Sequence, residues 1–176
     1  MKKEREIVTG QEVEKIIIRL AGEIRAKIDL ANLALVGIRR RGVELAVRLQ
    51  DILQKKSAGI PLGILDITLY RDDLSAVAKQ PVVRETKIQF ALDGKDILLV
   101  DDVLFTGRTI RAALSELVDF GRPRSIKLLT LVDRDHRELP IQPDFTGKFI
   151  QTENDQSIEV HLKELDGADK IMLVEL

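Results

Sequence analysis

The sequence predicts an α/β fold, a parallel sheet with helices on both faces. Two stretches carry that prediction. Ile97-Leu98-Leu99-Val100 is continuously apolar, as a strand buried on both faces must be, and it runs through Asp101-Asp102 into a helix with apolar positions at Ile110, Ala113, Leu114, Leu117 and Val118. Upstream, Leu33-Ala34-Leu35-Val36-Gly37-Ile38 is a second buried strand, followed by Arg39-Arg40-Arg41-Gly42 and a helix burying Leu45, Leu49, Ile52 and Leu53. The helical spacing in each case is that of one amphipathic face. Open parallel sheets take ligands beyond the carboxyl ends of their strands, so the arginine tip and the acidic tip are expected on one rim.

In chain order, Thr9 with Glu12 three residues later reads as a capping box, and Val13, Ile17, Leu20, Ala21, Ile24 and Ile28 recur at helical spacing. This predicts an amphipathic helix of about five turns, with Glu14, Lys15, Arg19, Glu23, Arg25 and Lys27 on its solvated side. Ile16 and Ile18 lie off the stripe and point to contact with another subunit. After the arginine tip and its helix, Leu62 to Tyr70 predicts a longer strand with Asp66 in its middle. Periodicity fades from Asp72 to Glu85, which suggests an arm or lid. Asp93-Gly94-Lys95 turns the chain into the central strand, and Gly121-Arg122-Pro123 stops the central helix. Ile126 to Val132 is a further buried strand ending in a third charged tip, Asp133 to Pro140. The remainder, including Ile158–Leu162 and Ile171–Val174, reads as a loop and two short strands at the sheet edge.

Composition narrows the chemistry. At 176 residues with 44% hydrophobic content, one domain spanning 1–176 with a sizeable core is expected. Aromatics are 3% with no Trp, which argues against stacking platforms for single strands. The 28 basic and 29 acidic residues balance, so any polyanion site must be local. Without Cys, and with His136 and His161 alone, thiolate zinc sites, thiol nucleophiles and a histidine cage fall away; magnesium held by carboxylates and substrate oxygens stays open. No apolar run is long enough for secretion or membrane insertion, which makes the cytoplasm the expected location.

The residues of the three tips suggest their ligand. Thr106-Gly107-Arg108-Thr109 offers backbone N–H groups and two hydroxyls at the positive end of a helix, which suits a phosphate. Asp101 and Asp102 would repel that phosphate, so the ligand must also carry hydroxyls or a metal, as a sugar phosphate does. The planar forks of Arg39 to Arg41 match phosphate oxygens in pairs and make them candidate diphosphate ligands. Neither a G-x-x-x-x-G-K-[ST] loop nor a G-x-G-x-x-G fingerprint is present.

A strand, two acids, small hydroxyl residues and a helix is also the pattern of the 5-phosphoribosyl 1-diphosphate (PRPP) site of type I phosphoribosyltransferases. Together with Asp66–Leu74 and Val132–Ile141, the central stretch resembles the PyrR family of bifunctional pyrimidine operon regulators and uracil phosphoribosyltransferases, over nearly the whole chain. The resemblance implies the type I phosphoribosyltransferase fold with a flexible lid and a small C-terminal edge element, and a reaction that makes UMP and diphosphate from uracil and PRPP. It implies that Asp101 and Asp102 hold the ribose hydroxyls, that the backbone from Val103 through Leu104 and Phe105 leads into a 5-phosphate cradle at Thr106, Gly107, Arg108 and Thr109, and that Arg40 and Arg41 meet the diphosphate. Asp101, Asp102 and Arg41 are the candidate catalytic residues. Tyr70, Arg71 and Asp72 would belong to the lid, with Arg84 also binding substrate, and Arg137 and Val160 would lie near the nucleotide. Mg²⁺ is expected to arrive with PRPP rather than on direct protein ligands, and a homodimer or higher oligomer is expected.

Two departures stand out. Family members that bind messenger RNA carry Thr-Arg-Ile-Ala-His-Glu on the first helix, whereas this chain reads Ile18-Arg19-Leu20-Ala21-Gly22-Glu23. Arg19 is retained as the RNA-binding candidate, but hydroxyl and imidazole are gone, so weak or absent RNA binding is expected. A mid-helix Gly22 costs about 1 kcal/mol against Ala, which suggests close packing or drift. The second departure is Asp135, where the family has Gly. Two alternatives remain: a UMP- or PRPP-sensing RNA-binding attenuator with little catalysis, and a purine phosphoribosyltransferase, expected to differ after Val132.

Overall fold

A computed structural model describes residues 3–55, 59–68 and 85–175. Its element order is β1 (Glu4–Val8), α1 (Gly10–Lys27), β2 (Leu33–Ile38), α2 (Arg41–Gln54), β3 (Leu62–Leu65), β4 (Asp96–Leu104), α3 (Arg108–Phe120), β5 (Ser125–Asp133), β6 (Phe145–Phe149), β7 (Gln156–His161), α4 (Lys163–Asp166) and β8 (Lys170–Glu175). The five-stranded sheet runs β3-β2-β4-β5-β6, and each of its pairings is parallel. β4, whose apolar run leads into the two acids, is therefore the central strand. β4 alternates between two cores: Leu98 and Val100 pack with α1 and α2, while Ile97 and Leu99 pack with Ile110, Ala113 and Leu117 of α3. Helices cover both faces, as the sequence predicts, because a parallel sheet leaves apolar side chains on each side.

Thr9 closes the predicted capping box. Its hydroxyl accepts from the Glu12 N–H, and its own N–H donates to the Glu12 carboxylate at 2.8 Å. Ile16 is half-buried and packs against the first core, where a Cβ on Gly147 of β6 would come within 2.8 Å of it. Ile18 is 54% exposed. Gly22 has no atom near a built Cβ, so close packing does not explain it. Gly22→Ala should raise stability by about 0.5–1 kcal/mol, read as a higher urea midpoint at unchanged slope.

Four local expectations change. Val118 is 60% exposed rather than part of the α3 core face. β3 stops at Leu65, so Asp66 follows the strand instead of interrupting it. Phe145–Phe149, read as loop, is an edge strand of the parallel sheet. The last two predicted strands form, but in a separate antiparallel sheet with β1, in the order β1-β8-β7. That sheet buries Val8, Ile158, Val160 and Ile171 in the same core as α1 and α2.

The candidate lid residues Tyr70, Arg71 and Asp72, and the candidate ligand Arg84, lie outside the described residues. The flanks of that segment meet on β3: the Asp66 N–H donates to the Thr86 hydroxyl at 2.9 Å, and Ile64 and Lys87 exchange backbone hydrogen bonds of 2.8 Å.

Candidate functional site

Three parallel strands end on one rim, and each delivers a charged tip there. β4 carries Asp101 and Asp102 in its last turns of pleat. Asp101 is 6% exposed and accepts the Asp102 N–H through Oδ1 at 3.0 Å; Asp102 in turn accepts the Val103 N–H at 3.0 Å. Each carboxylate is thus aimed by its neighbour's backbone. Val103 and Leu104 finish the strand; Leu104 is buried beneath the rim.

The turn after β4 is shaped by Gly107, whose φ of 92° is a conformation that L residues resist. It opens α3 without a side-chain cap, so backbone N–H groups at the helix start carry the positive end of the dipole. The Arg108 N–H donates to the Thr106 hydroxyl at 3.3 Å. Thr106 and Thr109 are half-buried. The arrangement can hold a dianion by N–H and hydroxyl donors.

The arginine tip is brought against β4 by a glycine contact. A Cβ on Gly42 would fall on the carbonyl oxygen of Val100 and 3.2 Å from the Asp101 Cα. Only Gly lets the start of α2 approach the central strand this closely. Arg40 precedes the helix and is exposed; Arg41 begins it. The Arg41 guanidinium donates to both oxygens of Asp166 in α4, at 2.8 and 3.2 Å. Those hydrogen bonds raise the Arg41 pKa above its ordinary value, and Asp102 and Glu159 add to the shift, so the cation sits in the field of the acidic tip. Asp166 is held below the usual carboxylate range, first by Arg41 and also by the Leu162 N–H. Arg39 points elsewhere, donating to the Glu85 carbonyl at 3.0 Å and lying 3.9 Å from Asp66.

The third tip braces the cradle. Glu138 and Leu139 donate backbone N–H groups to the Thr106 carbonyl at 2.9 and 3.2 Å, and Arg108 pairs with Glu138 at 2.6 Å. Arg137 donates to the carbonyls of Phe105 and Ile141, each at 2.8 Å, and to Asp133 at 2.7 Å. Its side chain therefore ties β5's tip to the cradle. Val160 is 2% exposed and its side chain belongs to the core. Arg19, on α1, is remote from these tips. It donates to Glu23 at 2.5 Å and to the carbonyls of Thr146 and Gly147, which fastens α1 to β6.

Asp135 and His136 adopt positive φ values of 67° and 61°. The left-handed region favours Gly, which gives the family's Gly at this position a backbone reason. Asp135→Gly should raise stability by about 0.5–1 kcal/mol; a lower thermal midpoint in calorimetry would contradict this.

Sequence reasoning missed Arg134, Phe105's partner, and Asp166, Arg41's partner. The signal for Arg134 was its place at the end of a buried strand; for Asp166 there was none, because the pairing spans 125 residues.

Among the described residues no group of three or more His, Cys, Asp or Glu is placed to hold a metal ion. Asp101 and Asp102 each accept a backbone N–H through one carboxylate oxygen.

Residues 4–164 match the phosphoribosyl transferase domain. The chain is 51% identical over 172 residues to the bifunctional protein PyrR of Deinococcus deserti, covering 97% of this chain and 94% of that one. It is 50% identical to the bifunctional protein PyrR of Thermus aquaticus, at 97% and 95% coverage. Its fold is similar to that of a hypoxanthine-guanine phosphoribosyltransferase from Bacillus anthracis, with a TM-score of 0.73 at 14% identity over the whole of both chains.

Proposed function

From the premise that the chain belongs to the phosphoribosyl transferase family, and within it to the bifunctional PyrR proteins, we propose that it transfers the phosphoribosyl group of PRPP to uracil, giving UMP and diphosphate. The observation that carries this reading is the Gly42 contact, which brings the start of α2 against β4 at Val100 and Asp101, with Arg41 in the field of Asp102. An anion-binding turn, two acids and an arginine fork on one rim match the 5-phosphate, the ribose hydroxyls and the diphosphate of one substrate.

In the proposed reaction the bond from the anomeric carbon to diphosphate breaks as uracil nitrogen bonds to that carbon, and the nitrogen's proton is lost. The state between is oxocarbenium-like, positive at the sugar and negative on the leaving group. The protein needs no nucleophile. Asp101 and Asp102 orient the ribose hydroxyls and favour the cationic sugar. Thr106, Gly107, Arg108 and Thr109 hold the 5-phosphate, with Val103, Leu104 and Phe105 as the wall leading to it. Arg40 and Arg41 take the diphosphate, for which Arg41 must share or exchange Asp166. Mg²⁺, bound with PRPP, supplies charge neutralisation of the departing diphosphate. Tyr70, Arg71, Asp72 and Arg84 would close over the substrate and exclude water.

The experiment is turnover of labelled uracil with PRPP and Mg²⁺, run in parallel with hypoxanthine, guanine and orotate. Uracil alone is expected to react; preference for hypoxanthine or guanine would replace this reading with the purine one. A regulatory role through messenger RNA is the second activity the family resemblance implies. Arg19's bonds within its own fold favour weak binding, and a nanomolar, UMP-dependent complex with a pyrimidine-operon leader at physiological salt would overturn that expectation.

A further inference from the structure

Arg134 follows directly on β5, yet only 7% of it is exposed. A buried guanidinium is expensive unless its donors are met, and here two are met from the β6–β7 connection and the start of β7. Nε donates to the Thr152 hydroxyl at 3.2 Å and Nη2 donates to the Gln156 carbonyl at 2.6 Å. Burial lowers its pKa from the ordinary value. The cation also lies over an aromatic face. Its central carbon lies 3.9 Å from the centroid of the Phe105 ring, well inside cation–π range. His136 meets the same ring edge-on, with centroids 5.9 Å apart, and its Nε2 lies 2.6 Å from the Thr152 carbonyl oxygen.

Phe105 stands immediately before the cradle, and its ring is 40% exposed rather than sunk in a core. Apolar burial therefore does little to fix it. Its ring is held by Arg134 and its carbonyl by Arg137. We propose that Arg134 is a positioning residue for phosphoribosyl transfer: anchored on Thr152 and Gln156, its guanidinium fixes the Phe105 ring and thereby sets the Thr106–Thr109 cradle for the 5-phosphate. The proposal rests on the reading of that cradle as the PRPP phosphate site. It gives the second sheet a part in the reaction, because the strut runs from the start of β7 to the loop after β4.

The test compares Arg134→Lys, Phe105→Leu, Phe105→Tyr and the Arg134→Lys/Phe105→Leu double variant. PRPP affinity is read by calorimetry, kcat by uracil turnover, and folding by thermal midpoint. Arg134→Lys keeps the charge and stem but loses the planar fork, and should weaken PRPP binding about fivefold. Phe105→Leu should do the same, and Phe105→Tyr, which keeps the ring, should lose less PRPP affinity than Phe105→Leu. The double variant should lose about fivefold, no more than either single, since both remove one interaction. For Arg134→Lys the loss should fall on PRPP affinity, with kcat at saturation changed less. Losses that multiply to about 25-fold in the double variant, or a lowered midpoint with unchanged PRPP affinity, would overturn the proposal. If Arg134→Lys fails to fold, the decision falls to the Phe105 pair: equal affinity for PRPP in Phe105→Leu and the parent overturns it. A parent that binds PRPP but leaves uracil unreacted would defeat the uracil reading alone, whereas a parent that binds no PRPP would defeat both.

Discussion

Asp101→Asn and Asp102→Asn are each expected to lower kcat for uracil phosphoribosylation by about a hundredfold or more, with the thermal midpoint held. The size follows from the kind of interaction removed. A fixed charge beside a developing opposite charge, in a site from which water is excluded, contributes about 3 kcal/mol to the transition state. Stability should hold because Asn keeps the oxygen that each backbone N–H needs, from Asp102 in one case and Val103 in the other. For Asp101, 6% exposed, loss of charge also removes a desolvation cost. The check is initial velocity at saturating uracil and PRPP beside a calorimetric scan. If both variants keep kcat within threefold of the parent, the acids do not act on the reacting sugar.

Gly42→Ala is expected to lower the thermal midpoint by about 5–10 °C and to weaken PRPP binding at the same time. One methyl group has this effect because its neighbour cannot yield. The overlap is with the Val100 carbonyl, part of the central strand of the sheet, and with the Asp101 Cα at 3.2 Å. Relief would come by moving the start of α2 outward, which carries Arg40 and Arg41 away from the acids. The same substitution at Gly22 is expected to stabilise, because nothing stands near its Cβ. Two Gly→Ala changes of opposite sign, measured by chemical denaturation, therefore separate helix propensity from tertiary contact. A Gly42→Ala protein as stable as the parent, binding PRPP as tightly, would show that the contact does not set the rim.

The three arginines of the β2 tip meet different fates. Arg40 is exposed, Arg41 is paired with Asp166, and Arg39 is turned toward Asp66 and Glu85. The run Arg39-Arg40-Arg41 suggested three equal ligands; the backbone path through the turn sends them in different directions.

By itself the sequence determined what short-range physics controls. The apolar runs of β2 and β4, the Thr9–Glu12 box, the Gly107 turn and the spacing of α2 and α3 all declare themselves within a few turns of chain, because period and capping are local properties. So do the acids and the cradle, which occupy one strand-to-helix connection. Only the tertiary structure decided the rest. β1 and β6 are short and mostly exposed at their charged positions, so neither shows a strand's pattern; β1 exists because β8 supplies its hydrogen bonds from the far end of the chain. Arg41 with Asp166, Arg134 with Phe105 and Arg19 with β6 are likewise long-range choices. A charged side chain's partner depends on which strand ends the fold brings within a few ångströms, and no local period encodes that distance.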